Sequence, residues 1–272
     1  MPLSRFQSEV LRTLAAQRSP DSYIAGGVAI NRTGPRFSGD IDIFHDSEDR
    51  LEAAAQADAA ALTATGYTIT WGRIRSGRRE ATVDRQGETM QLEWATDAVF
   101  RFFPTQPDAL FGYVLHPVDL ATNKASAAAD RRVPRDIVDL VTIHETVLPL
   151  GAVIGAAVGK FPGVTPEEML AEITRHSRFT AEEFAALATE GPIDVPGLHH
   201  RIRAMIEAAE DFIAKLPSDA VGVVFMEGDR AVQPDLAALD KYRRNPGAPR
   251  GYWPSSPNIA RAMLERHGDP KS

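Results

Sequence analysis

Two aspartates separated by one residue stand in a short apolar run, "RFSGDIDIF" at residues 36–44. Side chains at positions i and i+2 of a β-strand point to the same face, so Asp40 and Asp42 would present adjacent carboxylates while Ile41 and Ile43 face the core. Like charges at that spacing raise a pKa or require a counter-charge, and a hard divalent cation such as Mg²⁺ suits carboxylate oxygens. The pattern favours metal-assisted chemistry, and the competing interpretation is a solvated strand end.

A glycine pair precedes the aspartates. Gly26 and Gly27 lie between the strand-like "YIA" and the helix-like "VAIN". Glycines at such a junction let backbone N–H groups and a helix N-terminus approach a phosphate. The glycine pair is therefore a candidate for contact with a phosphate group.

The elements that must position these residues change character along the chain. Strand-like runs and one alanine-rich helix occupy residues 23–94, whereas the sequence after about Pro117 is mostly helical, with helix starts at "TPEE" and "TAEE". The N-terminus has the spacing of an amphipathic helix. Two exceptions are expected in the second half: a hairpin in "AVGVVFMEGDRAV", and an irregular tail, "YRRNPGAPRGYWPSSPN", before a last short helix.

Composition limits the class of protein. With 272 residues, 43% of them apolar, the chain can form a sizeable core, and its net charge of −7 argues against non-specific coating of nucleic acid. The lack of cysteine excludes disulfides and thiolate zinc sites. The N-terminal segment lacks a signal-peptide block, and "VLPLGAVIGAAVG" is shorter than a membrane span. We expect a cytoplasmic protein without a membrane partner.

A second block of sequence gives the residues a family context. "HPVDLATNKASAAADRRVPRDIVDLVTI" contains a lysine-bearing helix, an arginine turn and a second helix that begins "PRD". With "RFSGDIDIF" some eighty residues earlier, this set resembles the AbiEii family, the toxin half of type IV toxin–antitoxin systems, within the DNA polymerase β-like nucleotidyltransferase superfamily. The resemblance covers roughly residues 24–143.

The resemblance implies an α+β fold, in which a nucleotidyltransferase-type mixed β-sheet is flanked by helices and followed by a helical C-terminal subdomain. Residues 1–115 would form the catalytic core, and residues 116–272 a mainly helical subdomain that completes the cleft. The implied activity is the Mg²⁺- or Mn²⁺-dependent transfer of a nucleoside monophosphate from a nucleoside triphosphate (NTP) to an acceptor hydroxyl. The resemblance favours RNA or tRNA as the acceptor and a cognate antitoxin as a partner, while the sequence leaves protein, small-molecule and antibiotic acceptors open.

The resemblance also assigns residues. The catalytic set is Asp40, Asp42, Glu93 and Asp136, of which the first three would hold metal. The nucleotide-binding set is Gly26, Gly27, Arg36, Ser38 and Lys124. Asp84, in the strand before Glu93, is the other candidate for the third carboxylate, and Arg135 could pair with Asp136.

Two arginine-rich segments bear on the acceptor. "WGRIRSGRREATVDR" carries Arg73, Arg75, Arg78, Arg79 and Arg85, which would suit an RNA backbone, and a solvated hairpin face is the competing interpretation. "DKYRRNPGAPRGYW" mixes arginines with aromatic residues that could stack bases, although a tail packed on the domain is favoured.

Other motifs are rejected. "GAAVGKF" is not a P-loop, because Ile154 and Phe161 stand where the pattern requires glycine and Ser or Thr. The adjacent His199 and His200 would point in different directions on a helix, which argues against a shared metal. The competing function is a catalytically silent module on the same fold that binds a nucleotide or a partner.

Overall fold

The computed structural model describes residues 3–32, 34 and 36–251. Within these residues, seven strands form one sheet: β1 (Ser22–Ala25), β2 (Asp40–His45), β3 (Thr68–Arg75), β4 (Arg78–Arg85), β5 (Glu88–Thr96), β7 (Gln106–Asp108) and β8 (Gly112–Val114). Their order in the sheet is β3-β4-β5-β2-β1-β8-β7. The pairs β2–β5 and β1–β8 are parallel and the others antiparallel, so the sheet is mixed. The predicted α+β class is confirmed.

Two helices cover one face of the sheet. They are α1 (Arg5–Ala15) and α3 (Glu48–Ala64), and their apolar faces join Ile41, Ile43 and Trp94 in one core. Trp94 also donates its indole N–H to the buried Asp58 of α3 at 2.7 Å. Since alternate residues of β2 are buried here, Asp40 and Asp42 project from the opposite face. That face is where α2 (Gly26–Ile30) lies.

The second half has its own helical core. It contains α4 (Pro117–Asp130), α5 (Pro134–Thr146), α6 (Leu150–Ala157), α7 (Pro166–His176), α8 (Ala181–Ala185) and α9 (Val195–Ile213). Helices α7 and α8 begin with capping boxes at Thr165 and Thr180, as "TPEE" and "TAEE" predict. In the described part of the chain no single helix is long and apolar enough to cross a membrane, and α5 with α6 qualifies only as a pair bent by 107°.

The predicted hairpin is present. Strands β9 (Val224–Glu227) and β10 (Arg230–Val232) pair antiparallel, and β11 (Arg243–Asn245) adds to them. Strand β12 (Ala248–Pro249) returns to the first half and pairs with β6 (Phe100–Arg101). The expected last helix and the tail beyond residue 251 lie outside the described residues.

Candidate active site

Three carboxylates are neighbours on the face of the sheet opposite α1 and α3. Asp40 and Asp42 lie on one face of β2, and the parallel register places Glu93 of β5 directly opposite Asp42. Asp84 lies four residues beyond Glu80, the β4 residue opposite Glu93, and pairs with Thr89. The register therefore brings Glu93, and not Asp84, beside the two aspartates.

Each of the outer carboxylates is held by its own partners. Ser38 donates its hydroxyl to Asp40 at 2.7 Å, Arg135 lies 3.6 Å from the other oxygen of Asp40, and Arg78 pairs with Glu93 at 2.5 Å. As these side chains stand, no three potential ligands among the described residues surround a common point. The oxygen donor set nevertheless has the chemistry that Mg²⁺ prefers.

The carboxylates also perturb one another. Burial, reinforced by repulsion from Asp40 and Glu93, raises the pKa of Asp42 to about 7, against the weaker opposing charges of Lys124 and Arg135. Burial likewise raises the pKa of Glu93, although Arg78 opposes the shift. A cation placed between these groups would relieve the repulsion that raises the pKa of Asp42.

Glycine is required at the end of β1. Gly26 has φ +67°, and a Cβ on it would lie 1.7 Å from Oδ2 of Asp42. A Cβ on Gly27 would lie 2.7 Å from the Ser38 hydroxyl and 2.8 Å from the Arg36 guanidinium. The glycine pair therefore leaves the space that Asp42, Ser38 and Arg36 occupy.

A buried ionic network supports the cationic side of the site. Lys124 of α4 pairs with Asp136 at 2.7 Å and with Asp139 at 3.0 Å, both on α5 and fully buried. Arg36 makes two 3.0 Å hydrogen bonds to Asp139, and Arg131 pairs with Asp136 at 2.8 Å. Although burial opposes it, these partners lower the pKa of Asp136.

Two details of this network were not predicted from the sequence. The sequence prediction omitted Asp139, although its spacing of three residues from Asp136 puts both on one helix face. Arg135, which the sequence left open as a partner of Asp136, lies 3.6 Å from Asp40, whereas Arg131 pairs with Asp136. Asn31 also donates to Asp139, at 2.7 Å, so the network reaches α2.

A cavity of about 390 Å³ joins these groups. Its polar lining includes three carboxylates and five cations: Asp40, Asp42, Glu93, Arg36, Arg78, Lys124, Arg131 and Arg135. The lining also includes Phe44, Ala95 and Leu120, with Asn123 beside Lys124. Phe44 continues the face of β2 that carries the aspartates, so a mostly apolar end follows the charged end.

The hairpin arginines have unequal surroundings. Arg78, Arg79 and Arg85 are engaged with Glu93, Glu52 and Glu9 respectively. Arg73 and Arg75, on the sheet-edge strand β3, are exposed, and no ion pair involves either of them among the described residues. Of the five hairpin arginines, only Arg73 and Arg75 have no acidic partner among the described residues.

The chain matches a known family over most of these elements. Residues 10–163 match the family model described as the nucleotidyl transferase AbiEii toxin of a type IV toxin–antitoxin system. No curated protein matches the sequence.

A solved structure shares the fold. MenT4, a nucleotidyltransferase toxin from Mycobacterium tuberculosis, superposes with a TM-score of 0.54 at 17% identity, covering 79% of this chain and 84% of MenT4. An H. pylori protein assigned as a nucleotidyltransferase gives a TM-score of 0.48 at 16% identity, covering 79% and 99% of the two chains.

Proposed function

Because the chain belongs to the AbiEii family of nucleotidyltransferase toxins, we propose that it transfers a nucleoside monophosphate from an NTP to an acceptor hydroxyl. The observation that carries this proposal is the cavity in which Asp40, Asp42 and Glu93 face a cluster of cations. Carboxylates alone would repel a triphosphate, and cations alone would hold one without a place for metal. The combination suits a metal–triphosphate complex.

The residues have separate tasks in this proposal. Lys124, Arg131 and Arg135 offset the charge of the triphosphate, and the buried Asp136 and Asp139 hold the lysine in place. Gly26 and Gly27 keep the cavity open beside Asp42. Arg36 and Ser38 line the phosphate end, each fixed by a carboxylate. Such fixed charges stabilise a phosphoryl-transfer transition state because they need no reorganisation.

The carboxylates of Asp40, Asp42 and Glu93 are the groups that would hold Mg²⁺ or Mn²⁺, and a bound ion supplies charge stabilisation at the phosphates. Glu93 must then exchange Arg78 for the ion. Arg78 lines the same cavity, so its guanidinium remains available to the triphosphate.

We propose RNA as the acceptor class, and tRNA within it. The support is the exposed pair Arg73 and Arg75, which lies on the same hairpin as the cavity residue Arg78. Arginines that are not already paired can bind backbone phosphates without first breaking an ion pair. For a family of toxins, the expected partner in the cell is a cognate antitoxin.

The test is transfer of label from each of four α-³²P NTPs, with Mg²⁺, to total RNA or to total protein. The chain offers a matched control: Asp42→Asn and Glu93→Gln remove carboxylates from the cavity, and Asp84→Asn removes one from the neighbouring strand outside it. We expect wild type and Asp84→Asn to label RNA, and both cavity variants to lose at least about 10²-fold in rate.

Two results would contradict the proposal. Equal rates of transfer by the wild type and Asp42→Asn would show that the cavity is not the catalytic site. Nucleotide binding without transfer to either acceptor pool would favour the silent binding module. Labelled protein in place of RNA would overturn the acceptor assignment alone.

A further inference from the structure

A buried lysine from outside the catalytic core reaches the cavity wall. Lys160 follows α6, and its side chain is only 2% exposed. Its ammonium donates to Asp119 at 3.2 Å and to Asn123 at 2.7 Å, both on α4. Asp119 is fully buried and also accepts the backbone N–H groups of Phe102 and Phe103 at 2.9 Å. The Asp119 pair accounts for the charge of Lys160, but the contact with Asn123 remains to be explained.

The contact dictates how the Asn123 amide is turned. An ammonium can only donate hydrogen bonds, so it must face the amide oxygen Oδ1 and never the NH₂ group. On the other side, the carboxylate of Asp97 can only accept, and it lies 3.4 Å from Nδ2. Both neighbours therefore enforce the same orientation.

This orientation leaves a donor for the cavity. The Nδ2 group has two hydrogens, and Asp97 can take one of them at a long distance. In the part of the chain that the structure describes, no hydrogen bond uses the second one. Asn123 is partly exposed and lines the cavity. An aspartate here could also accept from Lys160, but it would lose the donor to Asp97 and any donor to the cavity.

The position along α4 indicates which part of a nucleotide this donor meets. Asn123 precedes Lys124 by one residue, a rise of about 1.5 Å along the helix. Leu120 lies about one turn earlier on the same side of α4 and lines the cavity together with Phe44. If Lys124 contacts the phosphates, as the proposed function states, the next chemical group along the nucleotide is the sugar, and the base lies beyond it.

We propose that Asn123 is a specificity-determining residue that donates a hydrogen bond to a ribose hydroxyl of the bound NTP, and that Lys160 is the positioning residue that fixes its amide. This inference rests on the proposed function. It adds that the protein distinguishes ribonucleotides from deoxyribonucleotides, through a lysine that never touches the ligand.

The experiment measures binding, so that it does not depend on finding the acceptor. Dissociation constants are determined with Mg²⁺ for each NTP and its 2′-deoxy and 3′-deoxy forms, by calorimetry. The readout is the ratio of the ribo to the deoxy constant within one variant. A smaller folded fraction changes both constants together, so a merely structural role leaves the ratio unmoved.

Four proteins are compared. We expect the wild type to favour a ribonucleotide over one deoxy form by about 3- to 10-fold, the range of one neutral hydrogen bond. Asn123→Ala should bring the ratio to about 1, and Lys160→Met should lower it by freeing the amide to turn. The matched control is Asn245→Ala, since Asn245 is a buried asparagine that holds the backbone of Phe102 outside the cavity. Its ratio should equal that of the wild type.

Two results would overturn the inference: no ribose preference in the wild type, or an Asn123→Ala variant whose ribo-to-deoxy ratio equals that of the wild type. In the second case, a changed preference of the variant among the four bases would assign Asn123 to the base. If the wild type binds no nucleotide at all, the proposed function itself fails. Binding with an unchanged ratio leaves that function standing and refutes the role of Asn123 alone.

Discussion

The substitution Gly26→Ala should inactivate the protein at a small cost in stability. A residue other than glycine pays about 1–2 kcal/mol for the left-handed conformation at φ +67°. The new Cβ would also lie 1.7 Å from Oδ2 of Asp42. Because Cβ atoms in proteins essentially never approach another heavy atom closer than 3.0 Å, the carboxylate must move by more than 1 Å. Displacement of a reacting group by about 1 Å costs on the order of 10²-fold in rate. We expect a loss of that size in kcat/KM for transfer.

The control for this prediction is Gly66→Ala. Gly66 has φ +86°, and no atom lies within 4 Å of the position that an alanine methyl would take, so alanine there has the backbone cost without a clash. Urea unfolding and transfer kinetics are measured on both variants. Gly66→Ala should lose only the backbone part of the stability that Gly26→Ala loses, and it should keep the wild-type kcat/KM.

A double-mutant cycle then separates the clash from the backbone cost. In an Asp42→Ala background the obstructing oxygen is gone, so the stability cost of Gly26→Ala should fall to that of Gly66→Ala. The reasoning would be refuted by a Gly26→Ala protein that transfers at the wild-type rate. It would equally be refuted if Gly66→Ala lost as much activity, because the loss would then follow from backbone strain.

Three further predictions concern charge. Lys124→Met should lower kcat/KM by about 10²-fold or more, while urea unfolding shows a loss of only about 1–3 kcal/mol, because both buried carboxylate partners keep an arginine. Burial lowers the pKa of His116, whose ring nitrogen caps α4, from 6.5 to about 4. Between these two pH values the folded state binds fewer protons than the unfolded state, so the free energy of unfolding should fall by up to about 3 kcal/mol as the pH drops from 6.5 to 4. The variant His116→Asn keeps a capping side chain, and urea unfolding at several pH values should show a smaller loss for it. Replacing Arg73 and Arg75 by alanine should reduce the slope of log Kd for RNA against log salt by about 1.4, whereas Arg85→Ala, which breaks a pair with Glu9, should leave the slope unchanged.

The local features of the site follow from the sequence. Alternation in "DIDIF" predicts that the isoleucines are buried and that the aspartates lie on the opposite face of the strand. The glycine pair predicts a place where a side chain cannot fit. These are properties of neighbouring residues in one strand or turn. They need no knowledge of which strands pair.

Features that depend on long-range pairing could be predicted less well. The parallel register of β2 and β5 decides that Glu93 lies opposite Asp42, whereas the sequence left Asp84 open as the alternative. The arginine count of the β3–β4 hairpin does not reveal that three arginines already have acidic partners, because those partners lie on other elements. Lys160 belongs to a motif that fails as a P-loop, so its approach to α4 appears only in the fold.

The Asp139 network has a consequence for how such a protein can be divided or recombined. Arg36 comes from the loop before β2, Asn31 from the end of α2 and Lys124 from α4, yet all three converge on one carboxylate of α5. In a chimaera with its breakpoint between β8 and α5, Asn31 and Arg36 would come from one parent and the residue at position 139 from the other. Chimaeras should therefore be viable only when α5 is inherited with the sheet, and a split-protein design should place its cut after residue 146.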